Sequence, residues 1–196
     1  MSKSRLEAFS DGVIAILITI MVLELQPSAA VPHGATLDAL RPLLPIFLTY
    51  VLSFVMLGIY WNNHHHMLHL ADRRTGGILW ANLHLLFWLS LFPFVTGWMG
   101  ENHSAPAPAA LYGIVGLGSA IAYTILQMTI IQSQGPKSRL AAAVQGDVKG
   151  KLSLAMYVAA IGLAYVNHWF SDALYVAVAL IWLVPDRRIE KGVGSR

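Results

Sequence analysis

Six long apolar stretches alternate with short polar ones along the chain: Phe9–Gln26, Leu43–Leu68, Ile78–Met99, Ala109–Ile131, Leu152–Val166 and Phe170–Val184. A helix needs about 20 apolar residues to cross the hydrocarbon core of a bilayer, and the first four stretches approach or exceed that length. The last two are shorter, roughly 22 Å each at a rise of about 1.5 Å per residue. Fused, they would be far too long to cross once. The polar break Asn167-His168-Trp169 with Ser171-Asp172 therefore predicts a tight hairpin, with Ser171 or Asp172 capping the last helix. A five-span reading is the minor alternative.

Basic residues test the count independently. With the N-terminus on the cytoplasmic side, Lys3, Arg5, Arg73, Arg74, Lys137, Arg139, Lys149, Lys151, Arg187, Arg188, Lys191 and Arg196 all fall inside, and only Arg41 falls outside. Cytoplasmic loops carry the excess of Lys and Arg, so the expected topology has six spans and both termini cytoplasmic. Five spans would put Arg187-Arg188 outside. Trp61, Trp80, Trp98, Trp169 and Trp182 stand near the expected span ends, as an interfacial aromatic belt requires. Lys3, Arg5, the first apolar run and Ser28-Ala29-Ala30 also look like a cleavable signal peptide, but Glu7, Asp11 and Glu24 in or beside that run argue against it.

Composition then narrows the class. Of 196 residues 56% are hydrophobic and 12% charged, about half the charge of a soluble globular chain; the mean hydropathy is +0.59. A soluble enzyme, a nucleic-acid-binding domain and a disordered chain are all disfavoured, because each needs polar surface facing water. Six spans take roughly 120 residues, so residues 1–196 read as a single membrane domain whose first partner is the lipid bilayer. The chain has no cysteine, which removes thiolate nucleophiles, thiolate metal sites and disulfides. The net charge of +3 is too small to imply a nucleic-acid partner.

The first span divides into two faces. At about 100° per residue, Phe9, Gly12, Ile16, Thr19 and Leu23 lie within roughly 40° of Arg5, while Ser10 and Asp11 point elsewhere. Such a stripe of small, apolar and hydroxylated residues fits helix–helix packing, where these types are enriched. It also fits a pore lining, in which apolar rings form a constriction and hydroxyl oxygens replace part of an ion's hydration shell. Asp11 is costly inside a membrane and needs partners from other helices.

The second span ends at the same side as Asp11 with Tyr60-Trp61-Asn62-Asn63-His64-His65-His66-Met67-Leu68-His69. Buried Trp and His N–H groups need acceptors, and positions 10 and 11 supply them. His65 and His69, four residues apart, also have the spacing of a helical metal pair, without the His-Glu-x-x-His context of a metal site. His64 or His65 with His84 of the third span has the chemistry of axial haem ligation. A hydrogen-bonded network holding Asp11 uses the most residues and is the preferred reading; His66 and His69 read as wetted interfacial residues. In the third span, Pro93 is expected to end or kink the helix.

Together these blocks resemble a known family. Arg5-x-x-x-Phe9-Ser10-Asp11, the block Tyr60-Trp61-Asn62-Asn63-His64-His65, and Asn82-Leu83-His84-Leu85-Leu86-Phe87-Trp88-Leu89-Ser90-Leu91-Phe92-Pro93-Phe94 are similar, in that order, to prokaryotic members of the transmembrane protein 175 family of potassium channels. The resemblance covers about the first half of the chain. It implies a homotetramer of six-helix subunits in the cell membrane, with a central pore lined by the first helix and K⁺ as permeant ion, no cofactor and no enzymatic activity. It assigns the constriction to Ile16, Thr19 and Leu23. Arg5, Phe9, Ser10, Asp11, Trp61, Asn63, His64 and His65 become the network holding the pore helix. Phe170-Ser171-Asp172 repeats the tripeptide before the last span, but without the arginine, and reads as a chance repeat.

The chain lacks a Thr-Val-Gly-Tyr-Gly filter, so a carbonyl cage is not available. An apolar neck at Ile16 and Leu23 with a Thr19 oxygen layer would favour the more weakly hydrated K⁺ over Na⁺. The alternatives are a membrane redox protein binding haem through the histidines of the second and third spans, and a proton-coupled transporter, for which no inverted repeat is evident.

Overall fold

The computed structural model describes residues 3–25, 37–71, 75–144 and 147–183, and the regular structure among them is helical. The first apolar run forms α1 (Lys3–Ile20), which tightens into a 3-10 helix over Met21–Leu25. A 3-10 turn at Leu37–Leu43 leads into α2 (Leu44–His69), with Pro45 in its first turn, where a missing N–H costs no helical hydrogen bond.

The third apolar run is two helices, α3 (Gly76–Leu89) and α4 (Phe92–Glu101), parted at Ser90-Leu91. Pro93 accounts for the break: it has no N–H to bond the Leu89 carbonyl, and its ring crowds that carbonyl. The Leu91 N–H bonds the Trp88 carbonyl instead, at 3.2 Å, in a tighter turn. Next come α5 (Pro106–Gln134), which ends at Gly135 with φ 93°, and the single short turn α6 (Arg139–Val144). Asp147 caps α7 (Val148–Leu163) by accepting from the Gly150 N–H. The last helix is α8 (His168–Leu183).

A hairpin joins α7 to α8, but neither Ser171 nor Asp172 caps the last helix. Asn167 is the cap, its Oδ1 accepting from the Trp169 N–H at 3.0 Å. Because α8 starts two residues earlier than Phe170, Ser171 lies inside the helix and donates across the hairpin to the Ala160 carbonyl at 2.7 Å. Asp172 faces His168 one turn back, at 3.4 Å.

Four stretches are long and apolar enough to cross a membrane: Lys3–Leu25, Leu40–His69, Gly76–Glu101 and Pro106–Gln134. The protein is therefore a multi-pass membrane protein. The helices α7 and α8 have 16 residues each, and α8 is a shorter apolar helix. The pairs Arg73-Arg74 and Arg187-Arg188 and the stretch Ser28-Ala29-Ala30 lie outside the described residues.

The bundle is organised around α5, which packs on α3 and α7; α7 packs on α8, α2 on α4, and α1 on α2, α3 and α4. In lipid, helices associate through close approach and interhelical hydrogen bonds rather than a hydrophobic drive. Both devices are present. A Cβ at Gly116 would overlap the Tyr157 ring, and one at Gly118 the Trp88 ring, so these glycines set how near α7 and α3 approach α5. Thr96 Oγ1 donates to Ser53 Oγ at 2.7 Å, and Ser53 Oγ lies 3.0 Å from the Tyr112 hydroxyl. This buried hydroxyl cluster ties α4, α2 and α5 together.

Candidate functional site

The face that α1 turns into the bundle is Leu6, Ser10, Ile14 and Leu17, continued by Met21. These recur every three or four residues, the spacing of one helical face. Among the described residues the opposite face is largely exposed. Phe9 is 47% exposed, Ile16 59% and Leu23 60%, and Arg5, Gly12 and Thr19 are exposed beside them. Among the described residues, the stripe of the first span is thus not a seam with another helix of the same subunit.

Two local features shape that face. Thr19 Oγ1 lies 2.9 Å from the Ile16 carbonyl and 3.1 Å from that of Ala15. Its single proton is held by its own helix, and its oxygen remains an acceptor. The change to a 3-10 helix at Met21 alters the register of Leu23. Three steps of about 120° in place of 100° turn Leu23 about 60° further round the axis than a continuous α-helix would.

Behind the exposed face, a buried chain of hydrogen bonds links three helices. Ser10 Oγ on α1 donates to the Leu6 carbonyl at 3.0 Å. Asn82 on α3 donates to Ser10 Oγ at 2.9 Å, and its Oδ1 lies 2.6 Å from His64 Nε2 on α2. Since Asn82 donates to serine, its carbonyl oxygen is the acceptor for histidine, and Nε2 of His64 carries the proton. Ser10 and Asn82 are fully buried and His64 is 1% exposed. Nδ1 of His64 has no partner among the described residues.

The remaining predicted network residues separate from this chain. Asp11 accepts from Trp61 Nε1 at 3.0 Å, joining α1 to α2 on the exposed side, and does not meet His64 in a hydrogen bond. Asn63 turns back on its own helix, donating to the Ile59 carbonyl at 2.8 Å. His65 is exposed, its ring 6.3 Å from Trp61 and stacked at 6.5 Å with His69. Asn82 is the site residue that residue-by-residue reading passed over. Its signal was a primary amide in the middle of an apolar span, which demands partners on other helices.

Two of the three histidines proposed for haem, His64 and His84, are hydrogen-bonded within the protein. His64 Nε2 is bonded to Asn82, and His84 Nε2 accepts from Trp88 Nε1 one turn along α3, at 3.0 Å. Among the described residues no group of three or more His, Asp or Glu side chains is placed to hold a metal ion.

Comparison with known proteins gives this geometry its context. Residues 5–93 match the family described as the endosomal/lysosomal potassium channel TMEM175. A potassium channel of Chryseobacterium sp. (strain P1-3) is 52% identical over 193 residues, covering 98% of each chain. A potassium channel of Streptomyces collinus is 29% identical over 187 residues, covering 92% of this chain and 91% of the relative. The fold is similar to the crystal structure of a lysosomal potassium-selective channel TMEM175 homolog from Chamaesiphon minutus, with a TM-score of 0.82 and 26% identity over 94% of this chain and 97% of that one. With similarity over nearly the whole length of both its relatives and a solved homolog, the chain belongs to the TMEM175 family, as a prokaryotic member.

Proposed function

We propose that the chain is a potassium-selective channel that assembles as a homotetramer of six-helix subunits in the cell membrane, with both termini cytoplasmic. The pore is lined by α1. Ile16 and Leu23 form an apolar neck, and Thr19 contributes a ring of oxygens for a partly dehydrated ion. The observation that carries this reading is the exposure of Ile16, Thr19 and Leu23: in a membrane helix, an apolar stripe with a hydroxyl layer, uncovered among the described residues of its own subunit, fits a shared axis. The relatives named as potassium channels support the same ion.

In this reading the Ser10–Asn82–His64 chain holds α1 from behind, so that the pore side chains present a defined face. The Asp11–Trp61 pair holds it at the cytoplasmic end. An apolar neck supplies no ligands to replace hydration, so the more weakly hydrated K⁺ loses least on entering; Thr19 returns part of that loss. The direct test is ion flux from proteoliposomes under opposed K⁺ and Na⁺ gradients. Potassium-driven flux exceeding sodium-driven flux is the expected result, and no flux of either cation would overturn the reading.

A further inference from the structure

A partly open cavity of about 50 Å³ lies between α2, α5, α7 and α8. It is separate from the free face of α1. One water needs about 10–15 Å³ of such space, so there is room for a few waters or one small ion.

Its chemistry is not that of a packing defect. Four aromatic side chains wall it: Tyr60, Tyr123, Tyr157 and Trp182. Asp147 lies at its edge, where α7 begins. One carboxylate oxygen of Asp147 accepts the Gly150 N–H at 2.8 Å, which leaves the other as an acceptor. Tyr157 is 1% exposed, and its hydroxyl has no hydrogen-bond partner among the described residues. A buried hydroxyl of this kind calls for an explanation, and a bound polar group supplies one.

We propose that this cavity is a binding site for a small ammonium-type cation. The faces of tyrosine and tryptophan attract a cation within about 6 Å, the carboxylate pairs with its charge, and the unpartnered Tyr157 oxygen accepts one of its N–H groups. The carboxylate works against an anion. The positive end of α7 is answered by Asp147 itself, and Lys149 and Lys151 are not among the residues lining the cavity. The inference does not rest on the pore reading, and its test reads binding alone.

The test is thermal unfolding of the purified full-length protein in nanodiscs, titrated with methylammonium chloride at constant ionic strength. N-methylglucamine, too large for the cavity, is the balancing cation. The wild-type midpoint should rise saturably. Asp147→Asn keeps a good N-cap residue while removing the charge, so it should leave the unliganded midpoint in place. It should weaken methylammonium by about tenfold or more, the loss expected for a hydrogen bond to a charged group. Tyr157→Phe removes no hydrogen bond seen among the described residues, should fold normally, and should also weaken binding; it serves if Asp147→Asn does not fold. A titration identical in the wild type and both variants, no saturable rise, or an equal rise with K⁺ or Na⁺ would overturn the proposal. Absence of ion flux from proteoliposomes would overturn the channel reading and leave this one intact.

Discussion

Asn82→Ala is the sharpest probe of how α1 is held, because this one side chain joins α1 to both α2 and α3. The substitution removes the 2.9 Å bond to Ser10 Oγ and the 2.6 Å bond to His64 Nε2. Interhelical hydrogen bonds in membrane proteins contribute about 0.6 kcal/mol on average and up to ~1.7, so the two together are worth about 1–3 kcal/mol. The His64 N–H is then left buried without an acceptor, which adds about 1–3 kcal/mol. Ser10 loses less, because its hydroxyl still donates to the Leu6 carbonyl. The expected destabilisation is about 2–6 kcal/mol, at the upper end of what single substitutions do. Reversible unfolding in mixed micelles, followed by tryptophan fluorescence, measures it. Ser10→Ala alone should cost less, about 1–2 kcal/mol, and the double variant should fall short of the sum, because the two changes remove one shared bond. An Asn82→Ala midpoint within about 0.5 kcal/mol of wild type, the range of surface substitutions, would refute the view that this chain holds the helix.

Thr19→Ala removes a hydroxyl bonded only to its own helix, so unfolding stability should hold while the K⁺/Na⁺ permeability ratio, read from reversal potentials, falls; an unchanged ratio removes Thr19 from selectivity. Ile16→Asn should wet the apolar neck and raise unitary conductance in planar bilayers, and unaltered currents would exclude a constriction there. Asp11→Ala and Trp61→Phe break the same 3.0 Å bond, so their effects on subunit assembly, followed by size-exclusion chromatography, should not add; fully additive effects would mean that the pair does not act as a unit.

Much of the helical architecture was legible because its signals are local. Since lipid leaves the backbone little choice but a helix, hydropathy over about 20 residues located three of the four long apolar helical stretches to within three positions, while the first begins six residues before Phe9. Pro93 announced the break between α3 and α4 through chemistry confined to one turn. The end of the last helix was misassigned for a related reason: Ser171, Asp172 and Asn167 are all competent caps, and only the actual start of α8 decides which faces a free N–H. The turn of Met21–Leu25 into a 3-10 helix left no mark in residue type.

The order of polar and apolar positions by itself determined that α1 has two faces and that one stripe joins Phe9, Gly12, Ile16 and Thr19, because that follows from the period of the helix alone; Leu23 lies beyond α1, in the 3-10 turn that rotates it off that period. It also marked Ser10, Asp11 and the histidines as groups needing partners. Which partner each one takes was decided only by the tertiary structure. Ser10 and Asn82 are separated by 72 residues, and a requirement for a hydrogen bond carries no address; three helices had to pack before Asn82 could stand between Ser10 and His64. Tertiary packing likewise decided which face of α1 the subunit buries. A helical period is symmetric with respect to inside and outside, and only the neighbours α2, α3 and α4 break that symmetry by covering Leu6, Ser10, Ile14 and Leu17 while Ile16 and Thr19 on the other stripe stay exposed among the described residues.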